Sequence, residues 1–210
     1  MSDSSPRDRN GRPGIDVGRV MREALAAPHA DLVTRPTGRA VREAIEGRIA
    51  RSRPPVSVSL IDLTRIRVLD FSCADEVVAK LLLRYLPPER PRDAFFLFRA
   101  VKEVHGHALG EVLARHGLAA VCTFGDGDFR LLGTVSREER RVWFTLEQRE
   151  RILPGASASL LGTGGRALLG QLHDRRLSYH EPGGGAVALS ALARTLPDKD
   201  EPDQGAPHEP

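Results

Sequence analysis

The sequence predicts an α/β protein, a mixed sheet with helices packed on it, followed by a small α+β unit. Three observations carry this expectation. Between about residues 32 and 132, short apolar and β-branched runs alternate with segments of helical periodicity, the order that builds a mostly parallel or mixed sheet with helices against it. Ala94-Phe95-Phe96-Leu97-Phe98 is apolar without a break, as a strand covered on both faces must be. From Ser136 the texture changes to charged amphipathic segments and a glycine-rich turn.

In chain order, residues 1–14 are rich in Ser, Asp, Arg, Pro and Gly and are expected to be a disordered leader, since they cannot bury enough apolar surface to offset the entropy of ordering. Ile15, Val20, Met21, Leu25 and Ala26 recur at helical spacing and predict a helix over about 16–27. Leu32-Val33-Thr34 reads as a short strand. Thr37 is expected to cap a helix that runs to Arg51 and buries Ala40, Val41, Ala44, Ile45 and Ile49. Pro54-Pro55 stops it, and Val56 to Leu63 follows as a strand.

Ser72 is expected to cap a second helix over about 73–86, with Asp75 or Glu76 closing a capping box. The run at 94–98 is the next strand. A third helix over about 103–116 ends at Gly117, which suits the left-handed position after a helix. Ala119–Phe124 and Phe129–Leu132 read as two strands joined by Gly125-Asp126-Gly127-Asp128. These elements define a domain over 15–133. Beyond it, a charged amphipathic segment spans about 136–152, a loop of small residues runs from Pro154 to Gly165, and a helix covers Arg166–Arg175. Leu177-Ser178-Tyr179 and Ala186–Leu189 flank Pro182-Gly183-Gly184-Gly185, a hairpin signal. Helix, helix, then a two-stranded wing is the order of a winged helix-turn-helix, so 136–197 is expected to be a small winged-helix-like unit. Residues 198–210 are expected to be a disordered tail like the leader.

Composition narrows the function classes. Hydrophobic residues make up 40% of the 210, enough for a core. Lys and Arg number 31 against 28 Asp and Glu, a net charge of +3, too slight an excess to argue for nucleic acid. Cys73 and Cys122 stand apart from one another and from any ligand-spaced histidine, so neither a disulfide framework nor a zinc module is signalled. The opening residues lack the basic and apolar regions of a signal peptide, and apolar stretches such as Leu81-Leu82-Leu83 fall far short of the roughly 20 residues a membrane helix needs. A cytoplasmic protein is expected.

The informative stretch is Leu60-Ile61-Asp62-Leu63-Thr64-Arg65-Ile66-Arg67-Val68-Leu69-Asp70-Phe71-Ser72-Cys73-Ala74-Asp75-Glu76-Val77. An apolar strand ends in Asp-Leu, passes through a short link and enters a helix at a small polar residue. This resembles the STAS fold of anti-sigma-factor antagonists, and most closely the STAS-like domain found near histidine-kinase-type ATPases. That family shows a Phe/Ser-Ala-Asp-Glu segment here and an Arg-x-x-Gly entry to its first helix. The chain has Phe71-Ser72-Cys73-Ala74-Asp75-Glu76 and Arg35-Pro36-Thr37-Gly38, in that family's order. The resemblance covers roughly residues 31–130. Phe71 departs from the family's usual small residue and Cys73 from its usual Gly.

The resemblance implies a non-catalytic bacterial regulatory protein that docks on a partner, an ATPase-type kinase or an anti-sigma factor. Asp70, Phe71, Ser72, Asp75 and Glu76 would form the docking corner. Asp70 and Ser72 fall where the family has its Asp and its phosphorylated Ser, so Ser72 is the phosphorylation candidate. A phosphate there would meet the unpaired N–H groups and positive dipole end of a helix, but also the repulsion of Asp70, Asp75 and Glu76.

No catalytic arrangement of Ser/His/Asp or Cys/His type assembles from the sequence, and no enzyme, cofactor or metal is expected. His105 and His107 are two apart on a helix and face different ways, with His116 further along. Asp126 and Asp128 suit a hairpin tip. Gly162-Thr163-Gly164-Gly165 lacks the Lys and the preceding strand of a phosphate-binding loop. Cys122 reads as a small core residue. The alternative function is transcriptional regulation, with the winged helix contacting DNA through Arg166, Gln171, Arg175 and Arg176 on or near its second helix.

Overall fold

The computed structural model describes residues 14–25, 31–51, 56–88, 90–100, 103–124 and 128–195. The chain opens with β1 (Gly14–Asp16), α1 (Val17–Leu25), β2 (Asp31–Leu32), α2 (Arg35–Ala50), β3 (Val56–Asp62) and β4 (Val68–Leu69). The next helix, α3, is α-helical over Phe71–Ala74, π-helical over Asp75–Lys80 and α-helical again over Leu81–Tyr85. Then come β5 (Asp93–Ala100), α4 (Glu103–Arg115), β6 (Ala119–Phe124) and β7 (Asp128–Gly133). The remainder is α5 (Arg137–Arg149), β8 (Arg151–Ile152), α6 (Ser157–Leu161), α7 (Gly165–Asp174), β9 (Ser178–His180), β10 (Ala186–Ala188) and α8 (Leu189–Thr195).

The central sheet has the order β1-β3-β5-β6-β7. Its first four strands are parallel and β7 runs antiparallel to β6, so the fold is mixed α/β with helices packed on a mixed sheet. The apolar run of β5 is shared between two cores. Phe96 and Phe98 face α1–α4, packing with Val20, Ile45, Val77 and Leu109. Phe95 and Leu97 face the other way and pack with Val142, Trp143, Leu169 and Leu172 of the C-terminal unit. That unit is therefore the third layer of the molecule. Its sheet order, β8-β10-β9, with one helix before β8 and two between β8 and β9, is the element order of a winged helix.

Several local expectations are corrected. Ile15, read as part of the first helix, lies in β1 opposite Ile61; a three-residue edge strand is too short to show alternation. Thr34, not Thr37, caps α2, accepting from the Thr37 N–H at 3.4 Å, which leaves Pro36 in the first turn, where its missing N–H costs nothing. Asp70, not Ser72, caps α3. The small-residue loop contains α6, and Arg151–Ile152 adds a third strand beside the hairpin. The predicted leader up to residue 13, the tail, Pro54-Pro55 and the Gly125-Asp126-Gly127 tip lie outside the described residues. No helix among the described residues is long and apolar enough to cross a membrane.

Candidate functional site

Two short parallel strands, β2 and β4, place Leu32 beside Leu69, and the Asp70 N–H donates to the Leu32 carbonyl at 2.9 Å. Each strand runs directly into a helix, so α2 and α3 begin side by side. Their closeness depends on Gly38: a Cβ there would stand 3.0 Å from the Cys73 Cα and 3.0 Å from the Glu76 Cβ. The Cys73 thiol donates to the Thr34 carbonyl at 2.9 Å. Burial, reinforced by the Asp70 carboxylate, pushes that thiol up to about 11, so it is a packed donor and not a nucleophile at neutral pH.

At the mouth of α3, Asp70 Oδ1 accepts from the Cys73 N–H at 2.7 Å and from the Ser72 hydroxyl at 2.9 Å. Ser72 is half-buried and spends its proton on the capping carboxylate. One turn on, the two acids face inward. Arg35 Nη1 lies 2.8 Å from Asp75 Oδ2 and 3.2 Å from Glu76 Oε1. His116 Nε2 is 2.6 Å from Asp75 Oδ1, Arg42 Nε is 3.5 Å from Glu76 Oε2, and Lys80 pairs with Glu76 and lies 3.9 Å from Asp75. The Glu76 side chain is 0% exposed. Burial would raise both carboxyls; for Asp75 the bonds from Arg35 and His116 outweigh it, and for Glu76 those from Lys80 and Arg35, so both sit below their ordinary values.

Of the five predicted docking residues, then, Glu76 presents no surface in this structure, and Asp75 is engaged within the fold. Asp70 and Ser72 hold the helix start. Phe71, between them, is 47% exposed. Val33 and Val68 are also exposed; each is one residue from the Leu32–Leu69 pair, on the side turned away from the core. The corner's surface is thus apolar at its tip, with the charges drawn in behind it. Sequence reasoning overlooked Val33, Val68, Arg42 and Lys80, and considered His116 only beside His105 and His107. Outward alternation about Leu32 and Leu69 was a possible signal for the valines, whereas the cations converge from α2, α3 and the end of α4.

The DNA-contact candidates separate in the same way. Arg166 and Gln171 are exposed on α7. Arg175 pairs with Glu139 at 2.5 Å. Arg176 is 3% exposed, lies 3.1 Å from Asp93 and stacks over Phe95, with its guanidinium carbon 4.7 Å from the ring centroid. Both arginines are spent inside the protein, Arg176 as the tie between the C-terminal unit and the sheet. Beside it, His173 and His180 stack at 4.6 Å, and burial holds both imidazoles below their usual range.

The remaining sequence features fall apart in space. His105 is buried, His107 is exposed, and His116 belongs to Asp75. Cys122 is fully buried in β6. Asp128 opens β7 at the surface, and Gly162–Gly165 links α6 to α7 with Gly164 in the left-handed region. Among the described residues, no three His, Cys, Asp or Glu side chains are grouped as metal ligands. Compared with protein-family models, with curated proteins and with solved structures, the chain matches none.

Proposed function

We propose that the chain is a non-catalytic cytoplasmic regulator that docks the corner at the start of α3 onto a partner protein, in the manner of the STAS-like domains its Leu60–Val77 segment resembles. The partner is an ATPase-type kinase or an anti-sigma factor. The observation that carries this reading is the exposed apolar tip of Val33, Val68 and Phe71 beside a hydroxyl, Ser72, held at a helix start. Large apolar side chains that a fold leaves in water at one place mark an interaction surface.

Ser72 supplies the switch. In the phosphoryl transfer its Oγ bonds to the γ-phosphorus of ATP, the bridging P–O bond to ADP breaks, and the hydroxyl proton leaves to the kinase's base or to water. The product has no proton to give Asp70, so two anions replace a hydrogen bond at the base of Phe71.

The test is an affinity capture from the native host with wild type and Phe71→Glu. Recovery of an ATPase-type kinase or anti-sigma factor by wild type, lost in the variant, is the expected result. Equal recovery by both baits would overturn the reading.

A second reading, transcriptional regulation, is favoured by the winged-helix element order and by the exposed Arg166 and Gln171 on α7. It requires duplex DNA binding that weakens steeply with salt and is reduced in Arg166→Ala.

A further inference from the structure

The parallel pairing of β2 and β4 fixes more than the helix starts. Just beyond Leu32 and Leu69 the two chains enter α2 and α3 side by side, with Arg35 the first residue of α2 and Ser72 in the first turn of α3. Two contacts hold this alignment across the gap, the Asp70 N–H on the Leu32 carbonyl and the Cys73 thiol on the Thr34 carbonyl, each at 2.9 Å. Ser72, Asp75 and Glu76 are spaced i, i+3, i+4, so they share one side of α3. Arg35 already bridges the second and third of them.

Three arginine and lysine side chains serve this carboxylate pair, and Arg35 is the most exposed, at 49% against 17% for Arg42 and 36% for Lys80. The pair can also release it. Without it, Asp75 keeps His116 and Lys80, and Glu76 keeps Lys80 and Arg42.

We propose that Arg35 is the receiver of a phosphate on Ser72, handing Asp75 and Glu76 over to His116, Lys80 and Arg42 as it turns to the phosphoryl oxygens. This rests on the reading of Ser72 as the switch. The unmodified hydroxyl donates to Asp70; the phosphorylated oxygen has nothing to donate and is repelled by that carboxylate. Arg35, at the start of α2, is the most exposed of the arginine and lysine side chains on the Asp75–Glu76 pair, and a guanidinium can bind a phosphate through two parallel N–H bonds. The cap at Asp70 and the adjoining Phe71 then reorganise, which couples the modification to the docking surface.

The test uses the full chain with phosphoserine inserted at position 72 during translation, so that no kinase is needed. Phosphorus NMR follows the second ionisation of the phosphate, ordinarily near pH 6. In wild type this midpoint falls by about one unit; Arg35→Gln restores it to the ordinary value, and Arg35→Lys gives an intermediate shift. Arg39→Gln, a charge loss elsewhere on exposed α2, leaves the lowered midpoint in place. An unshifted midpoint in wild type, or a lowered one that survives Arg35→Gln, overturns the assignment. Intact-mass measurement of the protein purified from its host tests the switch reading separately: a chain never phosphorylated at Ser72 refutes that reading, while the titration still decides whether Arg35 receives a phosphate.

Discussion

Arg176 offers the sharpest account of what holds the C-terminal layer to the sheet. It follows α7 with φ 61°, a left-handed conformation that costs a non-glycine residue about 1–2 kcal/mol. Its side chain repays this with the ring of Phe95, the carboxylate of Asp93 and the Tyr85 carbonyl, the last at 3.3 Å. A desolvated cation–π contact contributes about 2 kcal/mol, and a hydrogen bond from a charged group to a buried carbonyl about 1.5 kcal/mol or more. Asp93 is 41% exposed, so water screens that pair and its share is under about 1 kcal/mol.

Arg176→Ala removes all three contacts and keeps the strained backbone, at an expected cost of about 3.5–4.5 kcal/mol. Arg176→Gly removes the same contacts but relieves the strain, and costs about 1 kcal/mol less than the alanine variant. Urea denaturation followed by circular dichroism measures both. The reasoning is refuted if Arg176→Ala costs under about 1 kcal/mol, or if the glycine variant is the less stable of the two.

Glu147 yields a pH prediction. Burial raises its carboxyl above the ordinary value despite the bond it accepts from Ser190, and its Oε1 is buried with no protein hydrogen-bond partner. The folded state therefore binds the extra proton: this residue's contribution is fully present below the unfolded value of about 4.3 and is lost as pH rises through the higher folded value. Glu147→Gln should melt above wild type at pH 8, with the advantage shrinking toward pH 4; an equal difference at both ends would contradict the assignment. Gly38→Ala should cost about 1–3 kcal/mol, because its Cβ meets α3 backbone. Gly47→Ala, whose Cβ meets only the end of Arg51 at 3.5 Å, should instead stabilise by up to about 1 kcal/mol. Thermal melts in which both variants behave alike would show that the α2–α3 approach is looser than described.

What could be read in advance follows periodicity and length. The continuous run at 94–98 announced a strand with two covered faces, and Phe95 and Phe96 divide between the cores accordingly. The alternation before Ser136 announced the mixed sheet, and Pro182–Gly185 the hairpin. Strands of two or three residues, such as β1, β2, β4 and β8, have too few positions for a period to show. The caps of α2 and α3 were misplaced because Thr34 and Thr37, or Asp70 and Ser72, are equally good side-chain acceptors only two or three residues apart. Polar residues were the hardest. Glu76 reads as surface, yet it is buried because Arg35 lies 41 residues away in sequence and beside it in space. Arg176 reads as a solvated or DNA-facing cation, and its burial depends on Phe95 and Asp93, more than eighty residues earlier. Burial of a charge is a property of partners brought by the fold, which no local pattern encodes.

The central claim is that the corner bearing Phe71 is the docking surface, and site-specific photo-crosslinking in the native host tests it most directly. A benzophenone side chain replaces Phe71 in the full chain, and in a parallel protein it replaces Phe144, the more exposed of the two at 56% against 47% but on α5. The account predicts a covalent adduct with an ATPase-type kinase or an anti-sigma factor from position 71 and none from position 144. No adduct at 71, or the same adducts from both positions, would contradict it.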